Sequence, residues 1–165
     1  MENCAYTAAL INGEATLLKL ECSYARGFAG TQLLGNVGEL CRDGKERAKT
    51  VLENHGFALP AKRIVINISP ADIRKDGNHY DLPMAMCLLH LLAEKPLNFD
   101  SHKWIFAGEI GLDGDLRPIA GVVPFALAAV AAGFCGMVVA KSNLPELDLL
   151  RNLSGEKLQG MQLLG

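Results

Sequence analysis

Hydrophobic and polar residues alternate over Arg63–Ile68, where Ile64, Ile66 and Ile68 share one face and Val65 lies among the intervening positions. That period of two predicts a strand with one face well buried. Pro70 ends it, and a polar loop runs from Ala71 to Tyr80 with Asp72, Arg74, Lys75, Asp76, Gly77 and His79, the Asp-Gly pair marking a turn. From Asp81 onward, LPMAMCLLHLLA is apolar on nearly every face. It predicts a fully buried helix with Asp81 as N-cap and Pro83 tolerated in the first turn. A buried strand joined to a buried helix by an exposed polar loop holds loop side chains at a fixed place, which is where chemistry is usually sited.

The rest of the chain is arranged around this unit. Asn3–Ile11 and Ala15–Ser23 flank Asn12-Gly13, a strong signal for a two-residue hairpin. Arg26–Gly30 is a glycine-punctuated loop, and Thr31–Leu34 reads as a third short strand. Asn36 is the expected cap of a helix in which Val37, Leu40, Cys41, Ala48, Val51 and Leu52 recur at helical spacing, closed by His55-Gly56. A polar connection, Lys95–Lys103, leads to a strand over Trp104–Ile110 and an Asp-Gly hairpin over Leu112–Leu116. A buried helix over Gly121–Ala132, a short strand over Met137–Ala140 and a last helix from Asn143 to about Leu150, capped by Ser142, complete the pattern. Beyond Leu150 the periodicity fades, as in a linker or a fraying end. Strands followed by alternating strands and helices predict an α+β (α/β two-layer) fold, with a mixed sheet and helices packed mainly on one face.

Composition adds little that is specific. At 165 residues the chain suits one domain able to bury a core without disulfides or metal. Its formal charge of −2 gives no bulk argument for nucleic acid or membrane, so any such contact must be local. Five scattered cysteines, Cys4, Cys22, Cys41, Cys87 and Cys135, read as small core hydrophobes in a reducing compartment, and no C-x-x-C or H-E-x-x-H pair marks a metal. With neither a signal segment nor a membrane-length apolar run, the expected location is the cytoplasm.

Candidate chemistry is mostly negative. Gly38, Gly44 and Lys45 suggest a phosphate loop, but Gly38 is one residue too far from Gly44 and Glu46 stands where the magnesium-binding hydroxyl belongs. Between Pro70 and Met86 there is no serine, threonine or cysteine to act as nucleophile. His79 is then a lone loop histidine, and His90, on the apolar helix, a hydrogen-bonded core histidine. Arg42, Lys45, Arg47 and Lys49, with Lys62-Arg63 and Arg74-Lys75, form three basic clusters, which Glu39, Asp43 and Glu46 partly balance as a solvated face. Glu109 and Asp81 lie on different elements and cannot be paired from sequence.

The run Ala61–Ile73 (AKRIVINISPADI), then Lys75-Asp76-Gly77, then Tyr80-Asp81-Leu82-Pro83-Met84-Ala85, resembles the signature of the N-terminal domain of the ComM (YifB) family of magnesium-chelatase-like AAA+ ATPases. Tyr6-Thr7-Ala8-Ala9, Asn54-His55-Gly56-Phe57 and Gly108-Glu109-Ile110 agree with it, and the likeness covers Tyr6 to about Leu150. It implies a ribosomal protein S5 domain 2-like fold, shared with the proteolytic domain of Lon. Lon's serine follows K-D-G-x, which places His79 at the serine; its lysine follows G-G-x, which places Val123 at the lysine. With both groups replaced, the resemblance implies no catalytic residue in this chain, because a serine–lysine dyad lacking both members forms no acyl-enzyme. The family's G-L-P-[DE] after the third strand is Gly35-Asn36-Val37-Gly38 here.

The resemblance further implies residues 1–150 as the Lon-like domain, and 151–165 as a C-terminal extension or the start of a linker to a missing AAA+ module. On that reading the chain is an excised N-terminal domain or one that ends early. ATP and magnesium are expected for that module and no cofactor for this chain. Its partners would be the ATPase module of the same polypeptide, further copies in a hexamer, and DNA, but no membrane. The implied function is assembly or DNA contact within a helicase or branch-migration motor of recombination or transformation, with Lys62, Arg63, Arg74, Lys75 and His79 as the DNA-facing residues. The alternatives are a Lon-type protease domain and an assembly module of a magnesium-chelatase-like complex.

Overall fold

A computed structural model describes residues 3–93, 99–153, 158 and 160–165. The chain begins with a hairpin of β1 (Cys4–Ile11) and β2 (Glu14–Ala25), paired from Cys4 opposite Glu21 to Ile11 opposite Glu14. Asn12 and Gly13 both take positive φ, at 53° and 85°, the mirror-image turn that matches strand twist. Strand β3 (Gly30–Leu34) runs parallel to β4 (Arg63–Ser69), with α1 (Glu39–Asn54) between them. Next come α2 (Asp81–Leu92), β5 (Trp104–Phe106), the small hairpin β6 (Glu109–Ile110) and β7 (Leu116–Arg117), and α3 (Val122–Ala131). Strand β8 (Gly136–Val138), α4 (Leu144–Leu153) and β9 (Gln162–Leu164) finish the fold.

Seven strands form one mixed sheet in the order β3-β4-β2-β1-β5-β8-β9. This is the expected α+β architecture, with one refinement about where the helices lie. Strand alternation divides the core in two: Ala5, Leu18, Leu20, Cys22, Ile64, Ile66, Ile68, Trp104 and Phe106 pack with α1 and α2, whereas Ala8, Ile105, Ala107 and Met137 pack with α3 and Leu147 of α4. Helices α1 and α2 therefore cover one face of the sheet, and α3 with α4 packs on the other. The reason is local: all three residues of β5 are buried, so both of its faces need cover.

Several boundaries differ from expectation. Helix α1 starts at Glu39 behind Gly38, without a side-chain cap, and Asn36 instead adopts φ 52° and offers its carbonyl to the Lys75 amide at 3.0 Å. Asp81 is the first residue of α2 and does not cap it; its carboxylate is used elsewhere. The expected strand over Trp104–Ile110 is two strands, because the Ala107 amide still bonds Val138 in the main sheet while the Gly108 amide turns to His79. Helix α4 runs three residues past Leu150 to Leu153, and Gln162–Leu164 forms an edge strand parallel to β8 within the segment expected to be an extension or linker. Of the expected polar connection, residues 94–98 lie outside the described set; Ser101–Lys103 is a single 3-10 turn into β5. The helix ends are as expected: Phe57 bonds the Leu52 carbonyl and Gly56 that of Glu53, and Phe134 and Gly133 repeat the pattern after α3.

Candidate functional site

The polar loop after β4 is held in place by its neighbours. Val37 and Lys75 form a bridge, and the Gly38 amide donates to the Lys75 carbonyl at 2.7 Å, so the loop is stitched to the β3–α1 connection. This geometry removes Lys75 from the surface: the residue is fully buried and its ammonium donates to the Pro70 carbonyl, with burial lowering its pKa. Arg74, by contrast, is exposed and pairs with Asp76 at 3.0 Å.

His79 sits beside the crossover from β5 to β6. Its Nε2 lies 3.0 Å from the Ala8 carbonyl, and its ring packs on Tyr80 and Phe125 at centroid distances of 4.0 and 5.3 Å. Burial depresses its pKa to about 4, so at neutral pH the ring is uncharged. A carbonyl only accepts, which makes Nε2 the protonated nitrogen and leaves Nδ1 as the lone-pair site. A groove of about 320 Å³ opens next to it, lined by Asn78, His79, Glu109, Pro118, Ile119 and Ala120. Asn78 donates to Glu109 at 2.6 Å across the groove. The Ile119 wall is fixed by Asn143, whose carboxamide both accepts from the Ile119 amide at 3.0 Å and donates to its carbonyl at 2.9 Å.

Behind the groove lies an ion pair that sequence reasoning left unassembled. Asp81 is fully buried, and Arg47 of α1 binds its carboxylate through Nε at 2.7 Å and Nη2 at 3.1 Å. The Ile110 amide donates to the same carboxylate at 3.1 Å, which ties α1, α2 and β6 together. Burial pushes the Asp81 carboxyl above the usual carboxylate range, and Arg47 opposes that shift. Glu109 adds a repulsive field at Asp81, so the two carboxylates that sequence could not pair are neighbours. One signal was present: Gly44, in the middle of α1, where a Cβ would lie 2.0 Å from Asp81 Oδ1. A glycine in the interior of an otherwise amphipathic helix marks a close approach of another group.

The chemistry open to this arrangement is limited. None of the groove-lining residues carries a hydroxyl or thiol. Val123, the second residue of α3, is half-buried against the second core cluster. A thiol and an amine, Cys41 and Lys75, feel each other's charge nearby, but both residues are fully buried and the Lys75 ammonium donates to Pro70. Burial, with Asp81 adding to it, pushes the Cys41 thiol up to about 12, so it is neither ionised nor accessible. The residues of the imagined phosphate loop do not fit a nucleotide. Gly38 and Gly44 belong to the start and interior of α1, and Lys45 donates to the Thr31 carbonyl at 3.0 Å and pairs with Glu46 at 2.8 Å. Among the described residues no group of three or more His, Cys, Asp or Glu side chains is arranged to hold a metal, and no helix is long and apolar enough to cross a membrane.

The five residues expected to face DNA do not share one surface. Lys62 and Arg63 stand where β4 begins, beside Gly30, whereas Arg74, Lys75 and His79 follow its far end. Seven residues of strand span roughly 20 Å. Lys75 is buried, His79 is half-buried and neutral, and only Lys62, Arg63 and Arg74 present charge to solvent. His90 is hydrogen-bonded as expected, to Ser101 Oγ at 2.9 Å. All five cysteines stay outside disulfides, and four of them are buried.

Comparison with known proteins gives a consistent picture. The family described as "Subunit ChlI of Mg-chelatase" matches residues 20–143. The chain is 34% identical over 146 residues to the competence protein ComM of Haemophilus influenzae and 32% identical over 146 residues to YifB of Escherichia coli, in each case across 88% of this chain and 28% of the relative. It is 28% identical over 154 residues to the Lon protease of Koribacter versatilis, across 89% of this chain and 18% of that protein. The chain thus spans less than a third of the length of these curated relatives.

Proposed function

This chain belongs to the family of the ChlI subunit of Mg-chelatase, and from that premise we propose that it is the non-catalytic, Lon-like N-terminal domain of a ComM-type AAA+ ATPase. Its role is to help assemble the motor ring or to contact the DNA on which the motor works. The observation that carries this reading is the groove beside His79: the position of Lon's serine holds a neutral, half-buried imidazole bonded to the Ala8 carbonyl, and that of its lysine holds Val123. A scaffold kept without its reacting groups is one used for binding.

Two measurements test the proposal. The chain is expected to leave casein and a fluorogenic peptide uncut over a wide pH range; cleavage that is lost in His79→Ala would return the domain to the proteases. In size-exclusion chromatography with the ATPase module supplied in trans, or in anisotropy with single-stranded and branched DNA at low salt, at least one partner is expected to bind. Binding to neither would remove both roles.

A further inference from the structure

We propose that the end of the sheet where β4 begins is a stacking site for unpaired bases of single-stranded nucleic acid, with Phe28 as its platform. This inference rests on the DNA-contact reading above and assigns that contact to a place and a class of ligand. Phe28 is 98% exposed at the tip of the β2–β3 loop, the most exposed large apolar side chain among the described residues. Among the described residues nothing covers its ring, yet the loop that carries it is anchored. Arg63 Nη1 donates to the Arg26 carbonyl at 3.2 Å and Nη2 to Gln32 Oε1 at 2.6 Å. The loop crosses that side chain so closely that a Cβ on Gly27, at φ 132°, would lie 3.0 Å from Arg63 Cδ. Phe28 is therefore held out into solvent by a braced support.

Its surroundings suit a polyanion with exposed rings. Tyr24, 42% exposed, has the Lys62 ammonium 4.9 Å from its ring centroid, and Phe57, 40% exposed, follows α1 at the same end. Of the four exposed aromatic residues among those described, Tyr24, Phe28, Phe57 and Phe99, two stand at the end of β2 and in the loop that follows it, and Phe57 follows α1, which lends Lys49 and Glu53 to the cleft below. A cleft of about 180 Å³ lies alongside, bordered by Lys62, by Lys49, whose ammonium pairs with Glu46 at 3.0 Å, and by one carboxylate, Glu53. Among the described residues no carboxylate pairs with Arg26, Lys62 or Arg63, so this end is locally positive on a chain whose formal charge is −2. Aromatic faces interleaved with cations are what bind single strands without reading sequence, since every base has a π-face and every nucleotide a phosphate. A protein-binding core would be poorer in lysine.

The test is fluorescence anisotropy of the 165-residue chain with a labelled oligothymidylate across a salt series. Phe28→Ala, which disturbs no packed neighbour, is expected to weaken binding by about 5- to 150-fold, the range spanned by base–aromatic stacking, with the salt dependence unchanged. Lys62→Ala is expected to lower the slope of log K against log salt by about 0.7. In Phe28→Trp, the new indole is expected to be quenched by the oligonucleotide, against the background of Trp104, which is only 7% exposed. If the unaltered chain binds but Phe28→Ala binds equally well, this site is wrong and the DNA-contact reading stands. If the unaltered chain does not bind at low salt, both fall. If Phe28→Ala alters the elution volume of the chain and not its affinity for the strand, the loop is a protein contact and the proposal is overturned.

Discussion

Replacing Arg47 with methionine keeps most of the side chain's aliphatic volume and removes the guanidinium that accompanies a fully buried carboxylate. Asp81 would retain only the Ile110 amide as a charge-compensating donor. Breaking a buried pair in this way costs about 3–5 kcal/mol. The Arg47 side chain is 26% exposed, so water already screens part of the interaction, and about 2–4 kcal/mol is the better expectation. With a urea slope of about 2 kcal/mol per molar, the unfolding midpoint should fall by about 1–2 M. The pH dependence has a definite sign. Burial already holds the Asp81 carboxyl above its ordinary value, and removing Arg47 raises it further. The folded variant then binds a proton that the unfolded chain releases, so its stability climbs as the pH falls from neutral toward mild acid, and the gap to the unaltered protein narrows. Arg47→Met combined with Asp81→Asn, with both charges gone, should recover more than half of the loss. A single variant within 0.5 kcal/mol of the original, or a double variant no better than the single one, would refute the reasoning.

Three further outcomes follow from the structure. The Thr7 hydroxyl is buried without a hydrogen-bond partner among the described residues, so Thr7→Val should raise stability by about 1 kcal/mol, seen by calorimetry as a higher Tm; a loss would mean the hydroxyl is satisfied. Gly136 lies beside Trp104 in the parallel ladder, and a Cβ there would come within 2.4 Å of the indole. Gly136→Ala should cost about 1–3 kcal/mol and shift the emission of the single tryptophan. His79, with a folded pKa of about 4 against 6.5, should titrate near 4 by NMR. Its unfolded form takes up a proton first, so stability present above pH 6.5 is lost as pH falls to about 4, by about 3 kcal/mol at most. His79→Gln should flatten that window.

Much of the fold was legible because its signals are short-range. Ile64, Ile66 and Ile68 declare a strand through their period, Asn12-Gly13 declares a hairpin through its backbone preference, and Gly56 and Gly133 mark helix ends through their freedom at positive φ. The candidate groove was legible only through resemblance, as the position of His79. The misplacements have a common cause. Lys75 looks like a surface cation until the loop folds back on Val37 and carries it inside. Asp81 looks like a helix cap until Arg47, far away in sequence, claims its carboxylate.

The sequence alone therefore determined most of the segments that become strands and helices and where they turn, because those properties depend on residue identity and on neighbours a few positions away. Only tertiary structure decided which charges meet, which are buried, and that the basic residues flanking β4 lie at opposite ends of a strand roughly 20 Å long. Burial, electrostatic pairing and separation in space are set by the packing of elements distant in sequence, and no local pattern carries that information.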